Sequence, residues 1–444
     1  MSLAVDRLPT LADADLRVPL VTGGSVPYAN LDYAASTPCL AAVRTEVDRL
    51  LPWYSSVHRG AGFASQVSTR VYERARSTVR EFVGAKPDSA VLFTRNTTDA
   101  LNLLGRSLPA GTQVFRFATD HHAALLSWRT ARLHRLGVPA SAEDSVRILA
   151  RALAEAPNGP KLVVITGASN VTGELWPVAE LAEVSRLFGA RTVLDAAQLA
   201  AHRPIDLAGW GLCWIALSGH KMYAPFGSGA LVGETDWLSD AEPYLAGGGA
   251  TASVVEQAGA EAVTWSGLPH RHEGGSPNIV GAYAMAVACD AVTRLGWPAV
   301  VDHEQALTAR LCEGLAMIPG VRRLRLWADD HPTVGVVSFG VAGFDQQLIA
   351  TALAAEHGIG IRDGAFCAHQ AVRAVLDNVG FGQSDRALRA SVGLGTTAEH
   401  VDRLVLALRE LVLDGPKWTY TRTGDEWRPT PDPRPVPEFL AGGR

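Results

Sequence analysis

Two short stretches of this chain carry groups suited to covalent chemistry on a carbonyl. The apolar run Arg191-Thr192-Val193-Leu194 ends on a carboxylate, in Asp195-Ala196-Ala197-Gln198. A second apolar run, Leu212 to Leu217, ends on Ser218-Gly219-His220-Lys221 and a glycine-rich turn. A lysine that follows a buried strand has its charged form disfavoured by desolvation, which makes the amine a nucleophile towards aldehydes. An acid at a neighbouring strand end suits a pyridine nitrogen that must stay protonated. Together they describe a pyridoxal 5′-phosphate site, with Lys221 as the Schiff-base residue and Asp195 as the partner of the ring nitrogen. A lysine in an ordinary surface turn is the plain alternative, and the apolar context on both sides argues against it.

A third motif fits the same chemistry. Asn96-Thr97-Thr98-Asp99-Ala100-Leu101 follows the run Val91-Leu92-Phe93 and opens a helix pattern. Hydroxyls and free backbone N–H groups at a helix start make an anion site, so Thr97 and Thr98 are candidates for the cofactor phosphate. A helix cap without a ligand is the alternative. His121 and His122 are adjacent in Asp120-His121-His122-Ala123. Neighbouring positions face different ways and no carboxylate–histidine cluster accompanies them, so no metal is expected.

Asp195-x-x-Gln198 on one strand and Ser218-x-His220-Lys221 after the next resemble the class V aminotransferases of PLP fold type I. Within them the chain is most similar to the cysteine desulfurases and their relatives. The likeness runs from Leu31-Asp32-Tyr33-Ala34-Ala35 to Arg389-Ala390-Ser391, most of the chain, with landmarks in the family's order. It favours Thr98 and its backbone at the phosphate and makes Ser218 and His220 the other half of that cup. It brings Ser276, in Glu273-Gly274-Gly275-Ser276-Pro277-Asn278, to the phosphate from the other subunit, which implies a homodimer. His121 matches a flat residue stacked over the ring, and its near-neutral titration also suits proton transfer. Gln198 would donate to the phenolic oxygen. Asn170, in Ala168-Ser169-Asn170-Val171-Thr172-Gly173, matches a contact to the substrate carboxylate or a cofactor oxygen; a turn asparagine is the alternative. Arg389 matches the clamp on the substrate α-carboxylate, a task suited to a bidentate guanidinium, with a structural salt bridge as the alternative. His58, in Val57-His58-Arg59-Gly60, matches a segment lining the entrance.

Cys367 separates the possible activities. It sits in Gly360-Ile361-Arg362-Asp363-Gly364-Ala365-Phe366-Cys367-Ala368-His369, where the resembling desulfurases carry a nucleophilic cysteine on a small-domain loop. There a thiolate takes sulfur from L-cysteine, becoming a persulfide and leaving alanine. Arg362, also a candidate for substrate binding, and His369 could favour the thiolate. The apolar Ala365-Phe366 pair departs from the polar residues or histidines that relatives often place there, and would suit a larger, less polar substrate. Cysteine desulfuration, with a sulfur-acceptor protein as partner, is therefore the leading expectation. A PLP-dependent C–S lyase, epimerase or aminotransferase acting on a larger amino acid is the alternative.

The elements that must position these groups follow from patterning. In 444 residues, 47% hydrophobic and 19% charged, there is room for two domains and little for disorder. The net charge of −5, spread without runs, excludes nucleic acid or an anionic membrane as an expected partner. The start lacks an apolar signal core and no uncharged apolar stretch reaches membrane-spanning length. Cys39, Cys213, Cys289, Cys312 and Cys367 are odd in number and scattered. That fits a reducing cytoplasm rather than a disulfide framework or zinc site. Short apolar runs at 90–94, 112–117, 161–166 and 191–194 alternate with helical patterns such as Val178 to Phe188 and predict a doubly wound, mostly parallel sheet. Ligands gather at the carboxyl ends of such strands. The expected division is a large α/β domain over 22–292 and a smaller C-terminal α/β domain over 293–415, joined by an arm at 1–21. The predicted small-domain elements are a helix from about Pro298 to Met317, strands near 334–339 and 359–362, and a last helix around His400 to Leu413. A proline-rich tail, 416–444, is expected to be extended.

Overall fold

The structure is a computed structural model that describes residues 8–58, 60–257, 260–382 and 384–441. Residues 1–7 of the expected arm, Arg59 of the entrance segment and 442–444 of the expected tail lie outside the described residues. The large domain is built on seven strands among the described residues: β1 (Ala90–Thr94), β2 (Gln113–Phe117), β3 (Arg132–Leu136), β4 (Lys161–Thr166), β5 (Arg191–Asp195), β6 (Trp214–Ser218) and β7 (Gly229–Gly233). Their order across the sheet is β1-β7-β6-β5-β4-β2-β3. The five strands from β6 to β3 run parallel. Central strands β5 and β6 are buried along almost their whole length, which is why they read as continuous apolar runs. β3 left no such signal in the sequence because it is an edge strand of composition RLHRL, largely exposed.

β7 runs antiparallel to both its neighbours. The link from β6 to β7, 219–228, is too short for a crossover, so the chain turns straight back. That turn contains Lys221. Gly229 opens β7 where backbone must pass backbone: a Cβ there would lie 2.5 Å from the Leu217 carbonyl oxygen and 2.6 Å from Asn96 Cα. Asn96 caps α1 (Thr97–Arg106), so this close approach brings the start of α1 beside the end of β6.

The long helix α2 (Trp297–Ala316) leads into the second unit. There β8 (Val321–Leu324), β9 (Val336–Val341), β10 (Arg362–Gly364) and β11 (Ala387–Ser391) form an antiparallel sheet in the order β8-β9-β11-β10. It is covered by α3 (Gln346–His357), α4 (His369–Asn378) and α5 (Ala398–Asp414). Phe339, Leu353, Leu388, Leu404 and Leu411 share its core with Ala29 and Leu31 of the N-terminal segment. The N-terminal contribution thus runs past residue 21: Ala29–Asn30 pairs in parallel with Ile359–Gly360, and Asp32 bridges to Ser391.

The tail departs from the expectation of an extended segment. Tyr420–Thr423 and Glu426–Pro429 form an antiparallel hairpin. The Tyr420 hydroxyl donates to Glu356 Oε1 at 2.8 Å and Trp427 Nε1 to Asp345 Oδ2 at 2.9 Å, docking the hairpin on α3. Trp418, Tyr420 and Trp427 give this part of the tail aromatic surface that can pack, which its proline content concealed. Beyond the hairpin the chain lacks both helix and strand from 430 to 437.

Because Gly229 meets backbone on two sides, Gly229→Ala is expected to destabilise the domain by about 1–3 kcal/mol, the usual range for overpacking. Thermal denaturation checks this; a variant that melts with the parent would show that the strand–cap contact is looser than described.

Candidate functional site

The carboxyl ends of the parallel strands form a cleft with the small domain as its far wall. Asp195 is the last residue of β5 and pairs across the sheet with Thr166 at the end of β4 and Ala216 near the end of β6. Lys221 closes the single helical turn Gly219–Lys221 that follows β6. Both line the cleft. Asp195 is buried, and burial raises its carboxyl pKa, against the backbone N–H of Ala197, which donates to Oδ1 at 3.0 Å, and the Lys221 charge. Burial lowers Lys221 to about 8, with the Asp195 charge acting in the opposite sense. Each group therefore holds its charge at a cost, and a cationic ring nitrogen beside Asp195 would relieve it there.

The phosphate candidates lie together. The Asn96 side chain caps α1 by accepting the Asp99 N–H at 3.0 Å, and the Thr97 N–H points to Ser218 Oγ at 3.4 Å. The Thr97 hydroxyl is buried and has no hydrogen-bond partner. An unpaired buried hydroxyl costs free energy, and a phosphate oxygen at this helix start would satisfy it. Thr98 is exposed at the rim, so the buried hydroxyl is that of Thr97 rather than of the residue the resemblance favoured. His220, half-buried, approaches Ser36 Oγ at 3.3 Å. These residues fit a phosphorylated pyridine: an anion cradle, an acid and a lysine at one strand edge.

His121 also faces the cleft. Its Nδ1 accepts the Ala123 N–H at 3.1 Å, so in the neutral ring the proton sits on Nε2. Burial, then the nearby Lys221 charge, lowers its pKa to about 4, which keeps the ring uncharged at neutral pH and suited to stacking. Gln198 donates Nε2 to the Ala34 carbonyl at 2.6 Å, which fixes its side chain at the cleft wall.

One asparagine ties together two residues of the small-domain wall. Asn170 Nδ2 donates to the Phe366 carbonyl at 2.7 Å, while its own carbonyl accepts Arg389 Nη1 at 2.8 Å. Arg389 lies in β11, only 3% exposed, and its Nη2 reaches Asp32 Oδ1 at 3.3 Å. Arg389 Nε is buried without a partner, which leaves that edge of the guanidinium free to donate. Cys367 is exposed on the loop before α4, and its carbonyl accepts the His122 N–H at 2.8 Å. The neighbours expected to act on its thiol have other partners. Arg362 pairs with Asp32 at 3.7 Å, and the His369 ring stacks on His122 with Nδ1 3.1 Å from Nε2.

Two expected residues lie elsewhere. His58 and Ser276 line a second cleft with His270 and Glu273. His58 Nε2 lies 2.8 Å from Glu73 Oε1. Glu273 is pinned by Arg76 at 2.9 Å and by the Phe93 N–H at 2.7 Å, which anchors the loop carrying Ser276. Two groups in or beside the Lys221 cleft had no role expected from the sequence. Asp32, noted only as a landmark, bridges Arg389 and Arg362. Thr166, an ordinary strand-end threonine, donates at 2.8 Å to the wholly buried Asp120, whose pKa burial raises to about 7. Neither carries a motif, because both act through partners distant in sequence.

With this geometry in place, the chain matches the family model described as Aminotransferase class-V over residues 29–404. It is 30% identical over 421 residues to a cysteine desulfurase of Yersinia pseudotuberculosis, covering 93% of this chain and 99% of that one. Among solved structures it is similar to the apo cysteine desulfurase of Thermococcus onnurineus, with a TM-score of 0.77 and 28% identity over 87% of this chain and 94% of that one. A cysteine desulfurase from Escherichia coli gives a TM-score of 0.74 and 27% identity, covering 91% and 96% respectively.

The burial of Lys221 has a direct consequence in cofactor-free protein. Its reaction with a neutral amine-modifying reagent, followed by peptide mapping, should rise with pH about a midpoint near 8. Asp195→Asn should move that midpoint lower, since the carboxylate favours the ammonium. A midpoint near the ordinary lysine value of 10.5 would contradict the geometry.

Proposed function

The chain belongs to the class V aminotransferase family of PLP-dependent enzymes, and on that premise we propose that it is a cysteine desulfurase. The observation that carries this reading is the placement of the exposed Cys367 on the same cleft as Lys221 and Arg389. Pyridoxal 5′-phosphate would be held by Lys221, Asp195, Thr97, Thr98, Ser218, His220 and Gln198, with His121 over its ring. Bound there, the cofactor supplies an electron sink for the pair released at the substrate α-carbon.

The protein's own residues do the rest. Arg389, supported by Asn170, receives the α-carboxylate and fixes which bond faces the base. Lys221 then accepts the α-proton; its amine, lowered to about 8, is partly unprotonated at neutral pH. Cys367 attacks the substrate sulfur as a thiolate. An S–S bond forms as the substrate C–S bond breaks; the electron pair left on the β-carbon takes up a proton, the equivalent of the one lost by the Cys367 thiol, and Lys221 returns a proton to the α-carbon to complete alanine. The persulfide then passes to an acceptor protein whose thiol can reach the exposed loop. Arg362, at the open side of the cleft, would guide the substrate carboxylate in.

Ser276 and His58 enter this reading through a second copy of the chain. Both lie off the Lys221 cleft, and the pinned loop at Glu273 can present Ser276 to a neighbour's phosphate, so the working unit is proposed to be a homodimer. The five cysteines are all unpaired, which suits a reducing cytoplasm. No single helix among the described residues is long and apolar enough to cross a membrane.

Cys367→Ala should abolish alanine formation from L-cysteine while leaving binding of the amino acid intact, because Lys221, Asp195 and Arg389 are untouched. Alanine release and a change in cofactor absorbance on substrate addition report the two steps separately. A variant that still releases sulfide at the parental rate would favour a C–S lyase, which eliminates sulfur without a second nucleophile.

A further inference from the structure

Phe366 stands just before Cys367, and its ring lies over a buried cation. The Arg389 Cζ is 4.8 Å from the Phe366 ring centroid, within the range of a cation–π contact. The backbone at this point is unusual. Phe366 has φ of 50° and Cys367 has φ of 55°, two successive non-glycine residues in the left-handed region. Such conformations persist only where surrounding contacts impose them, and they cluster at functional sites. Here the contacts are explicit: Asn170 Nδ2 holds the Phe366 carbonyl at 2.7 Å and the His122 N–H holds that of Cys367 at 2.8 Å. The same Asn170 accepts from Arg389, so one residue ties the strained loop to the guanidinium beneath it.

We propose that Phe366 is a positioning residue for substrate recognition, its aromatic face capping Arg389 so that the unpaired Nε edge stays turned to an incoming carboxylate. The guanidinium is fixed on three sides. Nη1 is held by the Asn170 carbonyl, Nη2 by Asp32, and one face by the ring. What remains is the Nε edge, buried and without a partner. A planar cation held this way loses little freedom on binding, which strengthens each hydrogen bond it makes. The cap also links the two ends of the cleft, since the loop strain that seats the ring over Arg389 is the strain that orients Cys367. This inference rests on reading Arg389 as the carboxylate clamp.

The test compares Phe366→Leu with Phe366→Tyr in the holoenzyme, using calorimetric titration with L-alanine, which carries the α-carboxylate but no sulfur. Leucine keeps apolar bulk without a π face, whereas tyrosine keeps the face. The leucine variant should bind L-alanine about three- to thirtyfold more weakly, the span of a cation–π contact, and tyrosine should restore parental affinity. Thermal melting of the leucine variant guards against a folding defect, and the tyrosine variant decides the outcome if leucine unfolds. Equal affinity for leucine and parent, or a tyrosine variant weakened like leucine, overturns the proposal. A parent that binds no amino acid overturns both this inference and the clamp. A parent that binds L-alanine yet forms none from L-cysteine removes the desulfurase reading and leaves the role of Phe366 to the two variants.

Discussion

Everything at this site depends on keeping an amine and a carboxylate out of water at one edge of a sheet. Each is disfavoured as an ion by burial, and each partly offsets the other's loss of solvent. Neither is fully compensated, so both remain poised for a reaction partner that is at once a carbonyl and a cation. The parallel sheet makes this possible. Adjacent parallel strands end on the same side, so Asp195 and Lys221 meet without any long-range loop. The antiparallel return of β7 then packs the lysine turn against the start of α1, adding the anion cradle to the same edge.

The second domain matters because it brings the groups the sheet cannot. Arg389 and Cys367 come from β11 and the loop before α4, and their placement is set by contacts from Asn170 of the large domain to Phe366 and Arg389, and from Asp32 of the N-terminal segment to Arg389 and Arg362. Away from the cleft, the buried Glu304 of α2 pairs with His202 and, at 2.8 Å, with Arg203 of the large domain. Glu174 likewise receives Arg325 at 3.1 Å and the Leu326 and Trp327 N–H groups. Breaking one partner of such buried pairs is costly, so the two domains are held in register while the exposed loop at Cys367 stays accessible.

What the sequence disclosed was the chemistry of strand ends. Asp195, Lys221 and Thr97 could be located because apolar runs precede them, and an apolar run is a local signal. Strand β3 and the tail hairpin were missed for the opposite reason: their stability comes from edge pairing and from docking on α3, neither of which leaves a pattern in a short window. Asp32 and Phe366 show the same limit at the site. One stood out only as a landmark and the other as a departure in composition. Their relation to Arg389 is a matter of three-dimensional contact, across 357 residues of sequence for Asp32 and across the whole of α4 for Phe366. His369 was assigned to the cysteine by proximity in sequence, whereas a helix start turned it towards His122.

On the proposed reading, Lys221 is the residue that binds the cofactor carbonyl. Reduction of the cofactor-loaded protein with borohydride, followed by proteolysis and mass spectrometry of the modified peptide, tests that role without reference to turnover. A phosphopyridoxyl group is expected on the peptide containing Ser218-Gly219-His220-Lys221, and none in a Lys221→Ala protein. A label fixed on another lysine, or one that persists in that variant, would contradict it.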